Sequence, residues 1–139
     1  MMSEIIEKYG EALFSNAQKA AQTAYAPYSQ FHVGAAVLSA DYEIYMGCNV
    51  ENAAYPEGLC AEASAIAQMV QQGKTTIKAI AVYANSQELT TPCGGCRQKI
   101  REFAAPKTPI LICNDTGIIA TMTLAELLPH SFGPDNLKR

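Results

Sequence analysis

The sequence predicts an α/β layered fold around a mixed sheet of about five strands, in a single domain spanning residues 1–139. Three observations carry this. Short β-rich apolar stretches alternate with stretches of helical period. Helices fall between the later strands, which calls for crossover connections and parallel pairing. A chain of 139 residues with 49% hydrophobic content suits one core, and no repeat, linker or low-complexity segment divides it.

Taken in order, residues 3–24 predict an amphipathic helix. Ile5, Ile6, Tyr9, Leu13, Ala17, Ala20 and Ala24 recur at spacings of three and four, with Ser3 as N-cap. The helix should stop before Pro27. A turn over residues 26–29 leads to a strand over 31–40, a hairpin connection over 41–43 and a second strand over 44–50. Residues 52–58 have loop composition. A second helix is expected over 59–72, closed by Gly73. Its small and apolar residues from Cys60 to Ala67 predict burial nearly all round. Ile77–Ala84 reads as a strand covered on both faces. After a loop over 85–92, Gly94–Phe103 reads as a third helix. Strands over 110–113 and 118–122 flank a turn at Asn114-Asp115-Thr116-Gly117. Thr123 begins a short helix ending before Pro129, and the tail Phe132-Gly133-Pro134-Asp135 is loop-like.

Net charge is −3, with Lys and Arg scattered. No basic stripe tracks a phosphate backbone, which argues against a nucleic-acid polymer as partner; Lys138-Arg139 is too short to change this. The first residues lack the basic region and apolar run of a signal peptide, and no run approaches a membrane span. The expected location is cytoplasmic. Five cysteines, an odd number, then stay reduced.

Those cysteines concentrate the chemistry. Cys60-Ala61-Glu62 and Pro92-Cys93-Gly94-Gly95-Cys96 supply three thiols and one carboxylate, each group at a predicted helix start. Three soft ligands hold Zn²⁺ and leave a fourth tetrahedral position for water, whose pKa falls to about 7. A non-ligand Glu carries protons between water and substrate. This spacing is the recognised signature of zinc deaminases: a His or Cys ligand, one residue, a Glu, then Pro-Cys, two residues and Cys. Helix amino ends carry partial positive charge that offsets thiolate charge. Glu62 sits in a first turn, where a residue two places from Cys60 still projects toward the same site. The competing reading is a structural zinc site with a fourth protein ligand, for which Cys48, Cys113, His32 and His130 are the spare candidates. Cys113 in a buried strand and Cys48 at a strand end are equally core residues.

At these residues the sequence resembles the cytidine deaminases, small zinc enzymes of pyrimidine salvage. The resemblance extends over five blocks. They are Tyr25-Ala26-Pro27-Tyr28-Ser29 with Phe31 and Val33-Gly34-Ala35-Ala36; Gly47-Cys48-Asn49-Val50-Glu51-Asn52-Ala53-Ala54-Tyr55; the two cysteine blocks, the second running on through Arg97-Gln98; and Glu126-Leu127-Leu128-Pro129 with Phe132-Gly133-Pro134. It implies a three-layer α/β/α fold, Zn²⁺ on Cys60, Cys93 and Cys96, and Glu62 as proton shuttle. It implies contacts to the base from the Ala61 backbone and to the ribose from Asn49 and Glu51, with Phe31 packing on the nucleoside. Tyr55 and Phe132 would complete sites across subunits of a homotetramer. The implied reaction is hydrolytic deamination of cytidine and deoxycytidine. Deamination of a nucleoside-like antibiotic such as blasticidin S, a non-catalytic zinc-stabilised module and a polynucleotide-editing deaminase are the alternatives. Two features depart from the family. Ala63 stands where three-cysteine members often carry an Arg that neutralises the thiolates, with Arg97 a partial substitute, and Pro56-Glu57-Gly58-Leu59 precedes Cys60 like an insertion.

Overall fold

The computed structural model describes residues 2–137; the basic pair Lys138-Arg139 lies outside the described residues. Five strands form one sheet: β1 (Val33–Ser39), β2 (Ile44–Cys48), β3 (Ile77–Ala84), β4 (Pro109–Asn114) and β5 (Gly117–Thr123), in the order β2-β1-β3-β4-β5. Only β3 and β4 pair in parallel, and the helix between them makes the crossover.

Strand alternation builds two cores. Ala36, Leu38, Ala79, Ala81, Leu111 and Cys113 pack against α1 (Met2–Ala21) through Leu13, Ala17 and Ala21. Ala35, Val37, Ile80, Ile110 and Ile112 pack on the opposite face against Ala65, Ile66 and Met69 of α2 (Ala61–Gln71), Ile100 of α3 (Gly94–Phe103) and Leu124 of α4 (Leu124–Leu127). The result is the three-layer α/β/α arrangement, with β3 covered on both faces as its composition required. Two glycines set the layer spacing. A β-carbon on Gly34 would overlap the backbone of α1 at Ala17, and one on Gly47 would overlap α2 at Ala65.

The elements differ from expectation mainly at helix ends. Helix α1 already includes Ser3, so Ser3 is not its N-cap. It stops at Ala21, short of Ala24, because Tyr25 is drawn into a bridge with Val50: Tyr25 N–H donates to Asn49 O (3.0 Å) and Glu51 N–H to Tyr25 O (2.8 Å). Val50 also pairs with Leu59, exchanging bonds of 2.9 and 2.8 Å. That second bridge keeps Leu59 extended and moves the start of α2 from 59 to Ala61. It also splits Val50 from β2. Helix α2 is not buried all round either, since Ala67 and Val70 are exposed and border an apolar groove with Ile66 and Phe103. Its end follows expectation. Gly73 has φ +82, and the N–H groups of Gly73 and Lys74 reach back to Val70 O and Met69 O. Residues 55–57 and 134–137, read as loop, make short 3-10 turns, each with a proline in its opening positions. Thr123 caps α4 in a reciprocal capping box with Glu126. Among the described residues no helix is long and apolar enough to cross a membrane.

Candidate active site

Cys60 and Cys93 occupy the N-cap positions of α2 and α3, with extended backbone at φ/ψ −78/155 and −66/168. Both carbonyls accept the first helical bond, from Ser64 N–H and Arg97 N–H. Neither sulfur closes a cap of ordinary hydrogen-bond geometry, although the Cys96 N–H points toward the Cys93 sulfur, so both sulfurs face the positive ends of two helices. Cys96 lies one turn into α3 and is buried. The three Sγ atoms lie within 4.8 Å of one another, with Cys60 and Cys93 4.0 Å apart. Zn–S bonds of about 2.3 Å in a tetrahedron place sulfurs about 3.8 Å apart, so the cluster fits zinc. Of the spare candidates, Cys113 is buried in the core on the α1 face, and Cys48 lies beside the Thr23 hydroxyl.

Glu62 is 4% exposed in the first turn of α2. Burial pushes its carboxyl above the ordinary range, opposed by its own N–H, by Cys96 and by the charge of Lys99. Burial also raises Cys60 and Cys96, and Glu62 adds to both. The Cys96 backbone N–H holds Cys93 below its usual value, so this thiol is the readiest to ionise. Ionised together, three thiolates beside a carboxylate would need a cation among them, and a divalent metal inverts the local charge balance.

Arg97 makes no ion pair with the cluster's Glu62. Its guanidinium donates to Pro92 O (2.6 Å), Leu127 O (2.8 Å) and Thr91 Oγ1 (2.8 Å), all neutral acceptors that tie the 90–92 loop and the tail to α3. The cation felt at Glu62 is Lys99. It borders the α2–α3 groove with Ala63, and its Nζ folds back to within 3.8 Å of where a β-carbon on Gly95 would stand.

A cavity of about 340 Å³ opens over the cluster. Of the residues singled out in the sequence, it brings together Phe31, Asn49, Cys60, Ala61, Glu62 and Cys93. It adds Val33, singled out in the sequence only as part of a strand block, and Val82, Thr90 and Thr91, which sequence reasoning passed over. The valines read simply as strand residues, and the threonines lie in a loop whose only signal was the Pro92-Cys93 that follows.

Glu51 and Tyr55 line a neighbouring cavity of about 360 Å³ with Tyr28 and Ser29. There Glu51 Oε1 accepts from Tyr28 N–H (2.9 Å) and Ser29 N–H (3.1 Å), and Oε2 accepts from the Ser29 hydroxyl. These bonds hold its carboxyl below the usual range. Asn49 accepts from Val33 N–H (2.9 Å) and donates to Phe31 O (2.8 Å), fixing the backbone on which Phe31 stands. Each side chain thus holds its loop and keeps spare hydrogen-bonding capacity. Tyr55 (76% exposed) and Phe132 (58%) lie outside the 340 Å³ cavity within this chain.

The sequence profile described as "Cytidine and deoxycytidylate deaminase zinc-binding region" matches residues 7–112. The cytidine deaminase of Sporosarcina psychrophila is 44% identical over 127 residues, covering 91% of this chain and 93% of that protein. The crystal structure of cytidine deaminase from Burkholderia pseudomallei superposes with a TM-score of 0.82 at 38% identity, covering 87% and 97% of the two chains. That of the Mycobacterium tuberculosis enzyme gives 0.75 at 38% identity, covering 88% and 95%. A zinc-competent three-cysteine cluster on two helix N-termini, a buried Glu beside it and likeness over nearly the whole chain agree: the protein belongs to the cytidine and deoxycytidylate deaminase family.

Proposed function

We propose that the protein catalyses hydrolytic deamination of cytidine and 2′-deoxycytidine to the uridines, releasing ammonia, within pyrimidine salvage in the cytoplasm. The observation that carries this is the buried Glu62 in the first turn of α2, beside the three-cysteine cluster and opening on a nucleoside-sized cavity. A purely structural zinc site has no use for a desolvated carboxylate at its edge.

Cys60, Cys93 and Cys96 would hold zinc, which would act as a Lewis acid and bring the pKa of a bound water into the neutral range. Glu62 would accept two protons in turn, the first from the attacking water and the second from the hydroxyl left on C4, giving one to the ring nitrogen beside C4 and the other to the departing amine. Burial raises its pKa above the ordinary carboxylate value, the direction that favours a group which must donate as well as accept protons. The Ala61 backbone orients the base, and Phe31, Val33 and Val82 offer apolar faces to the ring. Asn49 and Glu51 use their remaining capacity on the ribose hydroxyls, which favours a nucleoside over a free base.

The assembly is a homotetramer with shared sites, and deletion after Pro129 raises KM while leaving zinc in place. Support comes from exposed aromatics at Tyr55 and Phe132 and from the uncovered apolar face of Ala67, Val70 and Phe103 on α2 and α3. Light scattering tests the mass. An ultraviolet assay of zinc-loaded protein on cytidine, deoxycytidine and blasticidin S tests the reaction. Turnover of both pyrimidine nucleosides is expected; turnover of blasticidin S alone contradicts the assignment.

A further inference from the structure

The helix that carries Cys93 and Cys96 also grips the tail that carries Phe132. Gln98 Nε2 donates to Phe132 O (2.9 Å), and Arg101 Nε donates to Ser131 Oγ (2.9 Å). Gln98 and Arg101 are three apart and share one face of α3. Gly133 completes the grip. The Arg101 guanidinium lies where its β-carbon would stand, so a larger residue there would push the guanidinium out of its present position. Upstream, His130 at φ +53 reverses the chain, and downstream Gly133 N–H donates to Asn136 Oδ1 (2.8 Å) while Asn136 N–H donates to Gly133 O (2.9 Å). Every one of these contacts holds backbone or polar groups. Phe132 itself is left 58% exposed.

That division is costly for a chain without a use for the ring, because an ordered, exposed aromatic on a terminal segment gains little from its own fold. We infer that Gln98 and Arg101 are positioning residues that fix residues 131–133 on the zinc-bearing helix, so that the Phe132 ring is presented at a set place for the nucleoside site it closes. The inference rests on the reading of Phe132 as a substrate-closing aromatic. Holding the tail in advance removes an ordering cost from each binding event, so the benefit falls on KM.

Kinetics on zinc-loaded variants test it, with zinc content and melting temperature measured on the same preparations. Phe132→Ala is expected to raise KM about tenfold or more, as base–aromatic stacking is lost. Gln98→Ala with Arg101→Ala is expected to raise KM about threefold to tenfold with kcat within about twofold. Gly133→Ala, which keeps every polar group but displaces the guanidinium, is expected to do the same. In a Phe132→Ala background neither change should raise KM further. If Phe132→Ala raises KM and the Gln98/Arg101 and Gly133 variants do not, the positioning role is wrong while the reading of Phe132 stands. If the Gln98/Arg101 change raises KM equally with Phe132 absent, its effect is merely structural and the inference fails. If Phe132→Ala leaves KM unchanged, the reading of Phe132 is at fault and the inference goes with it.

Discussion

Cys60 and Cys93, far apart in sequence, are the N-caps of two different helices and bring their sulfurs to 4.0 Å from each other. The candidate metal centre is therefore a junction of α2 and α3, and removing one of its thiols should loosen both. Cys93→Ala is expected to lose stoichiometric zinc and to melt at lower temperature, since two remaining thiols make too few ligands and metal binding energy is coupled to folding. Metal analysis and melting of one preparation check this. Full zinc occupancy in the variant would mean that another cysteine serves as ligand.

Lys99 is the cation felt at Glu62, and it borders the same groove as Ala63. Lys99→Met is expected to weaken zinc retention against a chelator by a few-fold, up to about tenfold, as a single charge acting through a partly solvated path allows. Because Lys99 is exposed, the difference should shrink at high ionic strength. Retention equal to the parent at low salt would remove Lys99 from the charge balance.

Gly47 sets the distance between β2 and the helix bearing Glu62. Gly47→Ala is expected to destabilise the fold by about 3 kcal/mol, at the upper end for overpacking because the obstacle is backbone at Ala65. Denaturant unfolding measures it, and a change under about 1 kcal/mol would mean that α2 shifts freely.

Glu51 holds the turn at Tyr28 and Ser29, and its folded pKa lies below the ordinary carboxylate value. A depressed pKa gives stability that is present above the unfolded-state value and lost as pH falls through the folded one. The melting difference between the parent and Glu51→Gln should therefore be widest near neutrality and close on acidification. A gap that does not change with pH would show that the charge on Glu51 is not what holds the turn.

Much of this architecture is written locally. Ile77–Ala84 and Gly94–Phe103 have the predicted bounds because β-branched burial and a cysteine N-cap are each set by neighbours in sequence. Cys60 and Cys93 were legible for the same reason, as thiols at helix starts. The misplaced ends of α1 and α2 have one cause at a distance: Val50 pairs with both Tyr25 and Leu59, and no periodicity announces such a bridge. Thr90, Thr91 and Val82 reach the cavity only through the fold. Glu51 stood out as a charge in an apolar block, but its partners at Tyr28 and Ser29 depend on the turn being folded over it.

The central claim is that Glu62 carries protons and does not bind the metal. Glu62→Gln keeps the side chain's shape and removes its ability to transfer a proton. Turnover of cytidine, measured with zinc content on the same sample, is the direct test. The expected result is full zinc occupancy, an unchanged fold and a loss of kcat of at least about a hundredfold, the lower range for a positioned acid–base group. Near-normal turnover in the zinc-loaded variant would contradict the account, and joint loss of zinc and activity would make Glu62 a ligand instead.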